Sequence, residues 1–550
     1  MVPYTLVLVI VGVPLYLLEL AIGQKMQISG AKVWATIHPA IAGVGVAATA
    51  ATFFVALYYN VIVAWSIWFF AHSFQSPLPW DEVSGGATRF WEVDTLRCRR
   101  SSGQPEETSS GVGDFARGIE EFSSGPQIVE AATCTWTANT IWPQYPGIFK
   151  TGDLVWPLVG CLVIAWFLVW ICVYKGVASV GKVAWVTALL PYLVLSIFLI
   201  RGLTLEGAGD GLRYYLLPNF SRLGDVNVWV QAASQIFYST GIGWGTLVAF
   251  ASYNDSQHNF VRDAWLVPVV NCGTSFLAGL VVFSVLGFLA RSMGVQVEDL
   301  QLQGSGLAFV VYPAAISQMP AAPFFAIIFF LMLLCLGLDS QFSMVETVLS
   351  AIGDSNLLPG LSRAKRAAAL CVVMFLLSLV FVTRGGLHWL DLFDTYAANL
   401  TVLIAGCIEC LAVGWMYGED RFARDVLQMT KWTVPKPFFW NIKFISPAII
   451  GILIVSSMFN SATMPSKFPP GADKLGWCLA FASCSPIFVM ALFALTKGIR
   501  HPRRSASARR TSTSHWGDQC LRGRRKVPAE LTTIAARGIA NEGIEISGVM

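Results

Sequence analysis

Residues Val228 to Asn254 read VWVQAASQIFYSTGIGWGTLVAFASYN. The stretch is long enough to cross a bilayer, which takes roughly 20 residues of helix. Its middle, Ser239-Thr240-Gly241-Ile242-Gly243-Trp244-Gly245, puts three glycines and two hydroxyls into seven residues. Glycine frees the backbone there. Peptide groups left unpaired in hydrocarbon are costly, so a break in such a helix is tolerated only where it is buried in protein or lines a wet cavity. A break also presents two half-helix ends, whose dipoles suit ions and charged solutes. The plainer reading is close helix packing through small residues. Other parts of the chain decide between the two.

The chain has 550 residues, 55% hydrophobic and 13% charged, with a mean hydropathy of +0.60. This is a polytopic membrane protein and excludes a soluble multidomain enzyme. Eleven apolar spans are predicted, near 2–22, 41–72, 154–174, 183–201, 228–254, 264–289, 321–348, 367–383, 391–417, 443–459 and 475–496. The first lacks a basic leader and a small-residue cleavage site and carries Pro14 and Glu19, so it reads as a membrane helix and not a signal peptide. Lys25, Lys32, Lys175, Lys182, Arg363, Lys365 and Arg366 fall on one side if the spans alternate, and the positive-inside rule makes that side cytoplasmic. The polar loop 75–152 is then extracellular, as is the sequon Asn219-Phe220-Ser221. From Ile499 onward ten Lys/Arg face four Asp/Glu, so this tail carries +6 and the remainder −2. Residues 1–498 are expected to form the transmembrane core and 499–550 a disordered cytoplasmic tail. No zinc spacing, Walker loop or GxSxG motif is present, and the lone pair Cys407/Cys410 reads as packing. Neither a cofactor nor a nucleic-acid partner is implied.

Polar side chains at membrane depth are expensive and usually functional. Gln235 and Ser239 stand four residues apart on one helix face, and Asn271 and Ser275 repeat the spacing. Asp339-Ser340 sits in the middle of LMLLCLGLDSQFSMVE, and Asp394 near the outer end of LFDTYAANL. A lone Ser or Asn there is ordinarily interhelical glue. Asp339 is different, because no Lys or Arg lies at comparable depth in another span. A metal ion with oxygen ligands would satisfy it, and a protonated relay is the alternative. Gln235, Ser239 and Ser275, with a phenol such as Tyr4, offer neutral donors suited to a small anion. Tyr58-Tyr59-Asn60, mid-span, reads on its own as interior packing.

The chain resembles the neurotransmitter:sodium symporter family. The motifs that carry the resemblance are PYTLVLVIVGVPLYLLELAIGQ, VALYYNVIVAW, KGVASVGKV, LEGAGDGLRYYLLPNF, QIFYSTGIGWG with AFASYN, VVNCGTSF, FVVYP, LGLDSQFSMVE and ISP at 445–447, in family order over about residues 3–500. The resemblance implies an all-α membrane protein with an inverted-repeat transporter fold, eleven helices corresponding to the family's second to twelfth. Discontinuous helices facing a site at the bilayer midplane are a feature of that fold. The resemblance also implies roles. Tyr4, Gln235, Ser239 and Ser275 match chloride ligands. Ser239 and Asn271 match ligands of one sodium, and Leu336 (by its carbonyl), Asp339 and Ser340 those of a second. Val55, Tyr59, Tyr238, Gly241, Trp244, Ser340 and Met344 match the substrate site. Asp394 resembles the acidic half of an outer gate, and Asp354 that of an inner gate supported by Tyr253.

Two departures follow from the same resemblance. The family's first helix has no counterpart here, and with it go further ion ligands, so residues 1–550 alone are not expected to transport. The outer loop follows Leu78-Pro79-Trp80 with Cys98 and then Cys134, far wider than the family spacing, although a disulfide between them suits an oxidising exterior. The resulting expectation is a multi-pass plasma-membrane carrier in the lipid bilayer that couples sodium and chloride to uptake of a small amino acid or related amine. A monoamine or osmolyte carrier is the alternative within the family. An inactive truncated fragment that binds intact subunits, or a sodium-gated channel, is the alternative outside it.

Overall fold

A computed structural model describes residues 2–81, 86–97, 152–218, 220–299, 305–355, 359–463, 468 and 470–500. Cys98, Cys134, most of the 75–152 loop, Asn219 of the sequon and the tail beyond residue 500 lie outside these. The chain divides into a compact unit, Met1–Ala491, and a second, Leu492–Met550, whose described residues are the last turns of the helix Pro470–Arg500.

The protein is all-helical. Among the described residues ten helices are long and apolar enough to cross a membrane: Val2–Met26, Pro39–His72, Trp156–Val173, Val183–Leu203, Phe260–Ser292, Ala322–Ser355, Arg363–Val382, Gly386–Tyr417, Lys436–Phe459 and Gly471–Thr496. The predicted span 228–254 is absent from this set because it is not one helix. It forms Val226–Thr240 and Thr246–Ala251, separated by a turn in which Gly241, Gly243 and Gly245 have φ of 75°, 79° and 73°. These left-handed values are open to glycine and strained for other residues, so the three glycines are what the break requires.

Among the described residues several connecting helices have no counterpart among the predicted spans, the apolar Leu307–Ser317 included. Gly30–Ile37 follows the first span, Ala208–Leu216 lies before the broken one, and Glu419–Thr430 joins Gly386–Tyr417 to Lys436–Phe459. The last buries Phe422, Val426 and Met429 at helical spacing, so a polar connection still carries an apolar stripe.

Packing centres on the helix Ala42–His72, which runs against Ala322–Ser355, Trp156–Val173 and Gly30–Ile37. Side chains of other elements bond its carbonyls: Gln341 Nε2 donates to Ala56 O at 3.0 Å and Ser378 Oγ to Leu57 O at 2.8 Å. Gly23 brings the first span onto the short half-helix. A Cβ there would meet Val248 O at 2.6 Å. Proline inside the first span has a visible remedy. Pro14 has no N–H for the Ile10 carbonyl, a π-turn covers Leu8–Gly12, and Asn441 Nδ2 donates to Ile10 O at 2.7 Å.

Candidate functional site

The break is held by an acid from a distant span. Glu19 is fully buried, and its Oε1 accepts the Gly243 N–H at 2.7 Å. The carboxyl of Glu409, also fully buried, lies against it. On the other side Thr52 Oγ1 donates to the Trp244 carbonyl at 2.9 Å. Side chains of the surrounding helices thus take up peptide groups that the turn exposes. Glu19 and Glu409 are not among the site residues that the sequence singles out. The signal is the one that marks Asp339, an acid in the middle of an apolar span. Glu19 bears on the sequence only as an argument against a signal peptide, and Glu409 sits between the two cysteines of a packing motif.

Beside the break the two i,i+4 pairs meet. Asn271 Nδ2 donates to Ser239 Oγ at 3.1 Å, and Ser275 Oγ donates to the Asn271 carbonyl at 3.0 Å. Val2–Val7 packs on Val226–Thr240, and its Tyr4 hydroxyl is buried without a hydrogen-bond partner among the described residues. Gln235, one turn before Ser239, is exposed. A buried O–H with no acceptor among the described residues fits an anion.

Asp339 lies across from the helix Val177–Leu203. Thr187 Oγ1 donates to its Oδ1 at 2.6 Å. Pro191, four residues on, cannot donate to the Thr187 carbonyl, so that oxygen loses its helical donor next to the carboxylate. Ser340 Oγ donates to the Leu336 carbonyl at 3.4 Å, and both residues are exposed. Carboxylate, hydroxyl and carbonyl oxygens are the donor set of a hard cation.

Tyr238, before the break, and Trp244, within it, meet edge to face, with centroids 5.8 Å apart. Trp244 is buried, and its indole N–H has no acceptor among the described residues. The Tyr59 hydroxyl reaches Ser340, and Val55 and Met344 are buried on the same pair of packed helices. Gly241 ends the first half-helix.

The expected gates have definite partners. Asp394 Oδ1 accepts from Tyr58 at 2.7 Å, with Tyr238 and Tyr59 close by. Asp354 Oδ2 accepts the Ser29 N–H at 2.7 Å, and Lys32 donates to its carbonyl. Tyr253 bonds elsewhere: its hydroxyl donates to Glu346 at 3.1 Å and meets Ser350 at 2.9 Å. Glu346 is fully buried and paired with Arg363. The sequence alone does not reveal that pair, because Arg363 reads there as a marker of topology.

The family model described as the sodium:neurotransmitter symporter family matches residues 1–498. Over 512 residues the chain is 36% identical to the sodium- and chloride-dependent taurine transporter of Bos taurus, covering 90% of this chain and 79% of that protein. It is 36% identical to the sodium- and chloride-dependent neutral and basic amino acid transporter B(0+) of Homo sapiens, covering 94% and 83%. The creatine transporter of Torpedo marmorata is also 36% identical, at 90% and 80%.

Proposed function

Because the chain belongs to the sodium:neurotransmitter symporter family, whose matched members are sodium- and chloride-dependent multi-pass membrane transporters and not enzymes, we propose that it carries a small amino acid or related amine inward with both ions. In this reading Ser239 and Asn271 serve one sodium, and Leu336, Asp339 and Ser340 a second. Tyr4, Gln235, Ser239 and Ser275 hold chloride. Val55, Tyr59, Tyr238, Gly241, Trp244, Ser340 and Met344 line the substrate site, with Asp394 at the outer gate and Asp354 and Tyr253 at the inner one. Transport follows when bound ions and substrate complete the site and shift the balance between outward- and inward-facing forms.

The buried Tyr4 hydroxyl, which has no acceptor among the described residues, carries this reading. It is a donor suited to an anion, on a helix that packs against the one carrying Ser239. The test is tracer uptake by cells expressing the chain joined to the family's first helix, with sodium or chloride replaced in turn, and every uptake measurement uses that form. Ser275→Glu is expected to make uptake independent of chloride while sodium dependence remains. A fixed carboxylate supplies the charge that the anion brings. Uptake that still rises with chloride in the variant refutes the anion site.

The substrate is expected to be small, with glycine or an N-methylated glycine preferred. The buried Trp244 indole occupies space that a large side chain would need, and overpacking costs about 1–3 kcal/mol, or roughly one to two powers of ten in affinity. Gly241 leaves room for a methyl group, and Met344 is adaptable. Competition by glycine, sarcosine, leucine and dopamine measures the ranking. In Trp244→Leu, leucine gains on glycine by about tenfold. An unchanged ranking removes Trp244 from the specificity pocket, and a parent protein that prefers leucine or dopamine removes the small-substrate reading itself.

A further inference from the structure

The helix Glu419–Thr430 and the start of Lys436–Phe459 enclose a shallow, open depression of about 360 Å³ that the transport site does not use. Three cations line it: Arg421, Arg424 and Lys443. None of them has a carboxylate within ion-pair distance among the described residues. Glu419 and Asp420 lie on the same rim, so the cations outnumber the acids by one. Two of the cations are instead braced on rings. The Lys443 ammonium sits 4.7 Å from the Trp415 ring centre, and the Arg421 guanidinium 4.6 Å from that of Tyr417. A ring orients a cation without neutralising it.

The depression lies at the membrane boundary. Lys25 pairs with Asp425 of the same connecting helix at 2.7 Å, which places that helix on the Lys-rich face assigned to the cytoplasm. Next to the cations, Trp415, Trp440 and Phe444 are 58%, 66% and 45% exposed. Exposed tryptophans at a span end sit at headgroup level. Apolar exposure then continues into the spans through Leu411 on one helix and Ile445 and Ile452 on the other. An anion cradle with an apolar track leading away from it matches a lipid with a negative headgroup and does not match a free ion.

We propose that this depression binds the headgroup of an anionic phospholipid of the inner leaflet. Arg424 and Lys443 take the phosphate, Arg421 a second negative group, and the acyl chains lie along Trp415 and Trp440. The cytoplasmic leaflet supplies such lipid, and each basic side chain near it adds attraction. The proposal is independent of which substrate the transporter carries.

The test is titration of the purified full chain, in neutral detergent, with fluorescent phosphatidylserine and separately with fluorescent phosphatidylcholine. Phosphatidylserine binds more tightly, and the double variant Arg424→Gln/Lys443→Gln weakens it by about tenfold. Lys443→Arg keeps the cation and retains binding. Arg201→Gln, in a second basic depression away from this one, leaves it unchanged. Elution of each variant at the parent's volume checks its fold. Should the double variant elute differently, the two single variants, each expected to weaken binding severalfold, are read instead. Equal affinity for the two lipids overturns the proposal, and so does unchanged affinity on loss of the cations. Displacement by inorganic phosphate alone reassigns the depression to a free anion and overturns it as well.

Discussion

Glu19→Ala abolishes transport and removes most of the protein from the cell surface, whereas Glu19→Gln retains a measurable fraction of both. The alanine variant deprives the Gly243 N–H of its acceptor at a point buried away from solvent. An unpaired buried amide costs about 1–3 kcal/mol. That is a large part of a membrane protein's margin, since folded proteins are stable by only about 5–15 kcal/mol. Glutamine keeps a carbonyl oxygen of the same reach, so the turn keeps its bond. Surface biotinylation and tracer uptake measure the two effects separately. Equal losses in the two variants would mean that charge, and not the acceptor, is what the turn needs.

Asp339→Asn leaves the protein at the surface and removes sodium-dependent uptake. Thr187 still has an oxygen to donate to, so the helix contact survives. What disappears is the negative charge beside the Leu336 carbonyl and the Ser340 hydroxyl. Asp339 is half-buried, and an interaction with a charged group is worth about 1.5–3 kcal/mol, so the sodium concentration for half-maximal uptake rises by roughly one to two powers of ten. Uptake measured across a sodium series, normalised to surface protein, gives the shift. An unchanged sodium response would take Asp339 out of the ion site and leave it as interhelical glue through Thr187.

Much of this arrangement is legible in the chain because membrane burial makes polarity conspicuous. Gln235, Ser239, Asn271, Ser275 and Asp339 stand out against apolar neighbours, and the three glycines of 241–245 announce a turn. The structure joins Ser239 to Asn271 and breaks the span where the glycines are. Partners are another matter. Glu19 and Gly243 are 224 residues apart, and no local pattern tells which acid will face which turn. Tyr253 shows the same limit. The resemblance suggests support for Asp354, yet the Tyr253 hydroxyl lies on Ser350 and Glu346, one and two turns nearer the membrane interior along the same helix. The connecting helices escape for a different reason. Glu419–Thr430 is mostly polar, and its stripe of Phe422, Val426 and Met429 is too sparse to stand out beside spans that are apolar all round.

The break also bears on how the protein is made. Its half-helices have 15 and 6 residues, and neither reaches the roughly 20 that carry a segment into the bilayer unaided. In the folded protein this segment therefore stays at membrane depth only with neighbouring helices around its turn, the first span among them. Chains emerge at roughly 5–20 residues per second, so Glu19 stands in the membrane for on the order of ten seconds or longer before Gly243 arrives. During that interval the ribosome holds a nascent chain whose acid has yet to meet its turn. Substitutions at the turn are expected to show first as loss of newly made protein in pulse-chase labelling, before any change in the rate of finished transporters.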